Sequence, residues 1–321
     1  MNKKKVFIAG HNGMVGNAVL RKFIDKKNYK IITIDKKKLN LLDQNKVYNY
    51  LLKNKFHSVI ICAARAGGIY ANNTFKTNFI FENLQIQNNL IYGSHLSNVK
   101  KLIFLGSSCI YPKKSRQPMR EEDLLSGYLE PTNEPYAIAK IAGIKLCEAI
   151  NFQYKKDFRS LMPTNLYGVR DNFDLKNSHV IPALIRKFHE AKINKKKVTV
   201  VWGSGKIFRD FLYVDDLAEA ILKVYELPKK KYINLTKGLG HINIGSGKQI
   251  TIAEIANKIK NIINFEGEIF FDKTKPDGMK LKMLCNKRIN KTGWRPQTKL
   301  ALGLKKTYNY YKSLLKNNYE N

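Results

Sequence analysis

The stretch Val6-Phe7-Ile8-Ala9-Gly10-His11-Asn12-Gly13-Met14-Val15-Gly16 decides the fold class of this 321-residue chain. Its apolar start predicts a short buried strand, and the pattern that follows is typical of a helix to about Lys27. Three glycines spaced G-x-x-G-x-x-G permit a tight turn, close approach of a phosphate to the backbone, and close packing of the helix on the strand. The N-terminus of the helix then faces the phosphates. The stretch therefore predicts dinucleotide binding.

Strands and helices alternate after this unit. We expect strands at 30–35, 58–64, 101–107 and 158–163, a helix that begins after the N-cap Asp43 and runs to about Lys53, and long helices at 78–96 and 136–154. This alternation predicts an α/β fold, a Rossmann-type doubly wound parallel sheet whose ligands bind outside the carboxyl ends of its strands. Gly10 and Ser107 both fall at such ends.

The second half of the chain has a less regular pattern. We expect helices at about 180–191, from about 216, and at 300–315, a helix opened by a Thr251–Glu254 capping box, and strands at 198–202 and 268–272. We interpret residues 1–165 as the dinucleotide-binding domain, to which some later segments return. Residues 166–321 would form mainly a smaller C-terminal α/β substrate domain.

Tyr136 and Lys140 are four residues apart and share one face of a predicted helix. A phenol with a pKa near ~10 is a poor proton donor near neutrality, and a neighbouring ammonium lowers that pKa. The alternative is a surface tyrosine and lysine on an ordinary amphipathic helix. Ser107, at the end of a buried strand about thirty residues upstream, and the glycine loop favour a proton-delivery site.

The chain is strongly basic, with 58 Lys and Arg against 25 Asp and Glu and a net charge of +33. The lysines form short runs scattered over turns and solvated faces, which argues against a dedicated nucleic-acid surface. We therefore expect no nucleic-acid partner, although the charge favours anionic ligands.

Cysteine and histidine spacing argues against a metal site. The four cysteines show no CxxC spacing and the six histidines no HExxH, so neither a disulfide framework nor a metal is expected. No apolar run reaches the ~18 residues of a membrane span, and no signal-peptide core follows the basic start. We expect a cytoplasmic protein without a membrane partner.

The residues after the second strand leave the cofactor open. Asp35 stands where an acidic residue commonly binds the ribose hydroxyls of NAD, whereas Lys36 to Lys38 could accommodate the 2′-phosphate of NADP.

Together these motifs resemble the extended short-chain dehydrogenase/reductase family, and within it the enzymes that epimerise and reduce GDP-4-keto sugars. The resemblance covers nearly the whole chain. Its most specific pieces are residues 9–16, 39–43, 105–112, 130–136, 163–168, 178–182 and 275–278.

The resemblance implies an NADPH-dependent 3,5-epimerase/4-reductase of a GDP-4-keto-6-deoxy-hexose, working as a homodimer through its two long helices. Ser107 would hydrogen-bond the C4 carbonyl, Tyr136 would protonate its oxygen, and Lys140 would hold the nicotinamide ribose and lower the tyrosine pKa. Cys109 and His179 match the epimerase pair, because a thiol and an imidazole can both transfer protons near neutrality.

The resemblance also implies binding residues. The implied cofactor positions are Gly10, Asn12, Gly13, Met14, Val15, Gly16, Asp35, Lys36, Leu39, Asn40, Leu105, Gly106, Ser108, Pro163, Asn165 and Leu166. The implied nucleotide-sugar positions are Lys187, Trp202, Arg209, Asp277 and Lys282. Residues 166–321 are accordingly expected to be mainly a nucleotide-sugar-binding domain.

The chain departs from the family pattern at two of its positions. Asn12 stands where the family often has Arg, which removes one contact to the NADP 2′-phosphate that Lys36 could replace. Cys285 stands where Asp is common. A near alternative is a paralogue that only reduces C4, on a related GDP-4-keto sugar such as a heptose, with epimerisation left to another enzyme. A distant alternative is a non-catalytic basic nucleic-acid-binding or scaffold protein on a Rossmann frame.

Overall fold

The computed structural model describes residues 3–319 apart from Pro276, so the proline of the 275–278 motif lies outside the described residues. In chain order the strands are β1 Lys4–Ala9, β2 Tyr29–Ile32, β3 Ser58–Ile61, β4 Lys101–Leu105, β5 Asp157–Pro163, β6 Asn165–Tyr167, β7 Val198–Trp202, β8 Phe208–Tyr213, β9 His241–Ile244, β10 Gln249–Thr251, β11 Glu268–Asp272 and β12 Leu281–Lys282. The helices are α1 Met14–Ile24, α2 Gln44–Asn54, α3 Ile69–Thr74, α4 Lys76–Leu96, α5 Glu134–Tyr154, α6 Val180–Ile193, α7 Val214–Glu226, α8 Lys229–Thr236, α9 Ile252–Ile263, α10 Lys287–Asn290 and α11 Leu300–Tyr319.

A six-stranded parallel sheet in the order β2-β1-β3-β4-β5-β9 organises the fold. Apolar clusters cover both of its faces, one with α1 and α7 and the other with α2, α4 and α5. The strand order reverses between β1 and β3, which is the switch point where ligands bind in doubly wound sheets. The predicted Rossmann-type sheet is confirmed.

Several strands are shorter than the sequence predicts. β2 ends at Ile32 rather than 35, β3 at Ile61 rather than 64, and β4 at Leu105 rather than 107. The last residues of each predicted strand leave the ladder and form the loops at the carboxyl edge. The predicted caps are confirmed: Asp43 accepts from the Lys46 amide, and Thr251 with Glu254 forms a capping box.

The sixth strand, β9, was not predicted from the sequence. It pairs with β5 after the chain has built α6, α7, α8 and the strands between them. The second half of the chain also contains β8, which pairs with β6, β10 and β12. The predicted strands at 198–202 and 268–272 pair with each other as β7 and β11.

A third apolar cluster joins α6, α9 and α11 with residues from β6 and β8. The division of the chain at residue 165 stays a prediction. Among residues 3–319 other than Pro276, no helix has the length and apolar character needed to cross a bilayer.

Candidate active site

A cavity of about 290 Å³ opens at the carboxyl edge of the sheet. The predicted site residues that line it are Met14, Val15, Leu105, Gly106, Ser107, Ser108, Cys109, Tyr136, Lys140, Pro163, Asn165, Leu166, His179, Arg209 and Lys282. All five predicted catalytic residues are thus brought together. The predicted residues that do not line the cavity are Gly10, Asn12, Gly13, Gly16, Asp35, Lys36, Leu39, Asn40, Lys187, Trp202 and Asp277.

The glycine loop is built for close packing and for an anion. Gly10 has φ +86°, and a Cβ there would lie 2.6 Å from the amide nitrogen of Ala63. A Cβ on Gly16 would lie 2.0 Å from the carbonyl oxygen of Gly10, so only glycine lets α1 pack this tightly. Gly13 caps α1 with no side-chain hydrogen bond to its first-turn amides. Those amides fit a dinucleotide phosphate at the N-terminus of the helix.

Polar contacts connect the glycine loop to Asp35, which follows β2. The Asn12 side-chain amide donates to Asp35 Oδ1 at 2.9 Å, and His11 Nε2 lies 3.4 Å from the same oxygen. The Arg170 Nε donates to the Asn12 carbonyl at 3.3 Å. Lys36 is exposed, and no hydrogen bond of its side chain occurs within the described residues. The Asp35 carboxylate, at the expected ribose end of the site, is therefore already bound by the side chains of the glycine loop.

Lys140 is almost completely buried beneath Tyr136. Its Nζ donates to the Leu105 carbonyl at 2.9 Å and lies 4.9 Å from the Phe104 ring centroid and 5.7 Å from that of Tyr136. Burial lowers the pKa of Lys140 to about 8, although the nearby thiol of Cys109 opposes this shift. The ammonium is thus held by a carbonyl and two aromatic faces rather than by a carboxylate.

The structure corrects the expected direction of the tyrosine shift. Burial, and secondarily Cys109, raises the pKa of Tyr136 rather than lowering it. The low-dielectric site disfavours the phenolate. Tyr136 is consequently held as the protonated phenol, which is the form that donates a proton.

Ser107 and Cys109 lie just beyond β4. The Ser107 Oγ accepts from the Cys109 amide at 3.4 Å and starts a short 3₁₀ turn over Ser108–Ile110. Gly106 precedes them, and a Cβ there would lie 2.3 Å from the Met162 sulfur. The turn carries Cys109 to the wall of the cavity while leaving only 7% of it exposed.

His179 reaches the same cavity from a different element, as the N-cap of α6. The loop before it is docked on the residues after β3: the Gly68 amide donates to the Asn177 carbonyl, and a Cβ on Gly68 would lie 2.4 Å from the Ser178 oxygen. The surrounding protein, and then the positive charge of Lys282, lowers the pKa of His179. The imidazole is therefore neutral near pH 7, yet it keeps solvent access at the cavity wall.

Arg209 joins the cavity to the proposed nucleotide-sugar residues. Its guanidinium donates to the carbonyls of Phe208, Met279 and Asp277. Burial lowers its pKa to about 10, so it remains a cation. The Asp277 Oδ1 accepts from the Ser204 amide at 2.7 Å, which fixes this loop against the turn after β7.

Lys187 and Trp202 lie outside the cavity lining and contact each other. The Lys187 Nζ lies 5.5 Å from the Trp202 ring centroid and donates to the Val200 carbonyl at 3.1 Å. Trp202 is 53% exposed, and the Lys275 Nζ also lies 5.7 Å from its ring centroid. Lys282, whose pKa is lowered chiefly by burial, lies inside the cavity itself.

Sequence reasoning assigned no role to several further polar residues of the cavity wall, among them Asn72, Glu130 and Asn133. The Oδ1 atoms of Asn72 and Asn133 are buried without a hydrogen-bond partner in the part of the chain that the structure describes. Glu130 and Asn133 fall within the 130–136 motif, which is the signal that could have found them. Asn72 follows a glycine pair and had no comparable signal.

The model of the NAD dependent epimerase/dehydratase family matches residues 6–245. The chain belongs to this family. A curated relative, GDP-L-fucose synthase of Escherichia coli (strain K12), is 49% identical over 312 residues, which are 97% of each chain.

Two solved structures extend the likeness. A GDP-6-OMe-4-keto-L-xylo-heptose reductase from C. jejuni has a TM-score of 0.91 at 34% identity, over 98% of this chain and 99% of that one. A GDP-L-fucose synthetase from Naegleria fowleri bound to NADP has a TM-score of 0.86 at 27% identity, over 98% and 96%. Family membership confirms the resemblance, the prediction of an epimerase/reductase enzyme and a nicotinamide cofactor, and it disfavours the non-catalytic alternative.

Proposed function

We propose that the protein is an NADPH-dependent 3,5-epimerase/4-reductase of a GDP-4-keto-6-deoxy-hexose. The observation that carries the proposal is that Cys109 and His179 line the same cavity as Ser107, Tyr136 and Lys140. A reductase needs only the last three, whereas the thiol and the imidazole are the two further proton-transfer groups that epimerisation uses. The likeness to GDP-L-fucose synthase supports the same substrate class.

The reductive half rests on Ser107 and Tyr136. A C4 carbonyl oxygen placed between the two hydroxyls accepts a hydrogen bond from Ser107 and a proton from Tyr136 as negative charge develops on it. A bound reduced nicotinamide would supply the hydride. Lys140, with its depressed pKa, sits beneath Tyr136 to return a proton to the site and to bind a ribose hydroxyl.

The epimerising half rests on the acidity that a 4-keto group gives to the hydrogens at C3 and C5. Inversion requires one group that removes a proton and a second that returns a proton from the opposite face. Cys109 comes from the turn after β4, whereas His179 comes from the start of α6. Two groups on separate elements can flank a sugar ring.

The positive residues suit an anionic nucleotide. Arg209 and Lys282 line the cavity, whereas Lys187 and Trp202 lie outside its lining and contact each other. We assign the first pair to the diphosphate, because a guanidinium and an ammonium complement its oxygens. The exposed Trp202 ring would stack on the base.

The second candidate function is reduction at C4 alone, on a GDP-4-keto-heptose. The likeness to the heptose reductase favours it, since that structure matches almost the entire chain. The two candidates differ in whether solvent hydrogen enters the sugar at C3 and C5.

Product formed from a GDP-4-keto-6-deoxy sugar and NADPH in deuterated water separates them. We expect deuterium at C3 and C5 by NMR with wild type, and an unepimerised product or none with Cys109→Ser, because a hydroxyl ionises far less readily than a thiol. Cys147→Ser is the matched control, since this buried thiol lies outside the cavity. Reduction by wild type without deuterium at either carbon would leave the C4-reductase function.

We also propose a cytoplasmic homodimer. α4 and α5 pack along each other and carry exposed aromatic residues on their outer surface, with Phe81 59% and Phe152 81% exposed. Two copies of this helix pair would form a four-helix bundle that covers them.

A further inference from the structure

The ribose end of the dinucleotide site has an unexpected positive group. Position 12 of the glycine loop holds asparagine, and its side chain is committed to Asp35 through the 2.9 Å hydrogen bond. The main-chain carbonyl of the same residue accepts from Arg170, which lies 158 residues further along the chain. One residue of the loop thus connects the ribose-side carboxylate to a distant guanidinium.

The backbone around Arg170 is shaped to bring it there. The chain leaves β6 through Gly168 at φ +155°, and Arg170 itself adopts the left-handed region at φ +67°. The Asp171 amide donates to the Gly168 carbonyl, and the Asp171 side chain is buried and accepts from the Asn172 amide. A tight turn anchored by a buried neighbour therefore projects the exposed Arg170 side chain onto the glycine loop.

The Arg170 guanidinium has hydrogen-bond donors that are not used within the described part of the chain. Its Nε bonds the Asn12 carbonyl, while its two terminal nitrogens have no hydrogen-bond or carboxylate partner within the described residues. Arg170 and Asp35 both hydrogen-bond Asn12 of the glycine loop. An arginine fork near this carboxylate matches the arrangement that accommodates a 2′-phosphate.

We infer that Arg170 is the residue that selects NADP(H), by binding the adenosine 2′-phosphate from across the glycine loop. The inference rests on the proposed NADPH-dependent function. Asp35 would repel that phosphate, but the Asn12 amide and His11 engage its carboxylate from the loop side. Arg170 then supplies the positive charge that asparagine at position 12 cannot.

Lys36 is the competing residue, because it follows Asp35 directly. Its ammonium is exposed and is not fixed by any hydrogen bond in the described part of the chain, so ordering it on a phosphate costs side-chain entropy. Arg170 is already fixed at Nε and gives two parallel donors. We therefore expect Arg170 to contribute more than Lys36.

Binding of 2′,5′-ADP and of 5′-AMP by calorimetry tests this without turnover. Arg170→Gln should raise the Kd of 2′,5′-ADP about tenfold to a hundredfold, as expected for loss of a charge-assisted hydrogen bond. It should leave the Kd of 5′-AMP within about twofold of the wild-type value. Arg170→Lys should recover part of the loss, and Lys36→Gln should lose less than Arg170→Gln. Arg295→Gln removes the same charge outside the cavity lining and away from any contact with the glycine loop, and it should match wild type.

The outcomes separate the two proposals. If wild type binds 2′,5′-ADP no more tightly than 5′-AMP, the NADPH preference itself is wrong and the inference falls with it. If wild type prefers 2′,5′-ADP but Arg170→Gln keeps that preference, only the assignment to Arg170 is wrong. Equal weakening of both ligands would show that Arg170 merely supports the loop and would also overturn the assignment.

Discussion

Replacing Lys140 by methionine tests the electrostatics of the site. Burial lowers the pKa of Lys140 from its ordinary 10.5 to about 8. Each pKa unit corresponds to about 1.36 kcal/mol, so a pKa lowered by about 2.5 corresponds to about 3 kcal/mol. This is the free-energy cost of keeping the ammonium charged in the folded state. The residue is 3% exposed, so this cost needs no reduction for solvent screening.

The sign of the pH dependence follows from proton binding. Below pH 8 the lysine is charged in both states and the whole cost is present. Between pH 8 and 10.5 the unfolded chain holds the proton that the folded chain has lost, so the folded state gains stability as pH rises. The free energy of unfolding of wild type, minus that of Lys140→Met, should therefore rise by about 3 kcal/mol over this range.

Urea denaturation of both proteins without cofactor, followed by tryptophan fluorescence from pH 7.5 to 10.5, measures this difference. Groups that titrate alike in both proteins cancel in the subtraction. Loss of the hydrogen bond to Leu105 adds an offset that stays nearly constant over the range. Lys145→Met removes an exposed lysine of the same helix and should run parallel to wild type. A pH-independent difference for Lys140→Met would refute the depressed pKa.

Tyr136→Phe should lower kcat for reduction by a factor of about 10² to 10⁴, because it removes the general acid. The Kd for NADP⁺ should stay within about twofold of the wild-type value. Near-normal turnover would exclude this tyrosine as the proton donor. Gly16→Ala should lower the free energy of unfolding by about 3 kcal/mol, because its Cβ would lie 2.0 Å from a backbone oxygen. Gly13→Ala is its control, because a Cβ on Gly13 would lie at an ordinary contact distance of 3.6 Å from the Gly10 carbonyl oxygen. Equal stability of the two variants would contradict the packing argument. Phe81→Glu with Phe152→Glu should shift the sedimenting species from dimer to monomer, and an unchanged dimer would place the interface elsewhere.

Elements with strong local signals could be predicted from the sequence. The glycine loop, the cap at Asp43 and the capping box at Thr251 each depend on residues close together in the chain, and the structure bears them out. The site residues from Ser107 to His179 were found through motifs, and the structure places them around one cavity.

Features that depend on distant contacts could not be predicted. The four residues of β9 carry little strand signal, and their place beside β5 is fixed by tertiary contacts such as the hydrogen bond of 2.5 Å from the Tyr111 hydroxyl to Asn243. The approach of Arg170 to the glycine loop likewise joins residues remote in sequence. For Tyr136, the sequence shows the neighbouring lysine but not the burial that decides the direction of the pKa shift.

The late position of β9 has a consequence for synthesis of the chain on the ribosome. β5 ends at Pro163, but its outer neighbour begins only at His241. About 80 residues must be added first, which takes about 4 to 16 s at the usual 5 to 20 residues per second. During that interval the nascent sheet has an open apolar edge, which can pair with other chains. Fragments that stop before His241 should therefore aggregate, even though they contain the entire glycine loop and the Tyr136–Lys140 pair.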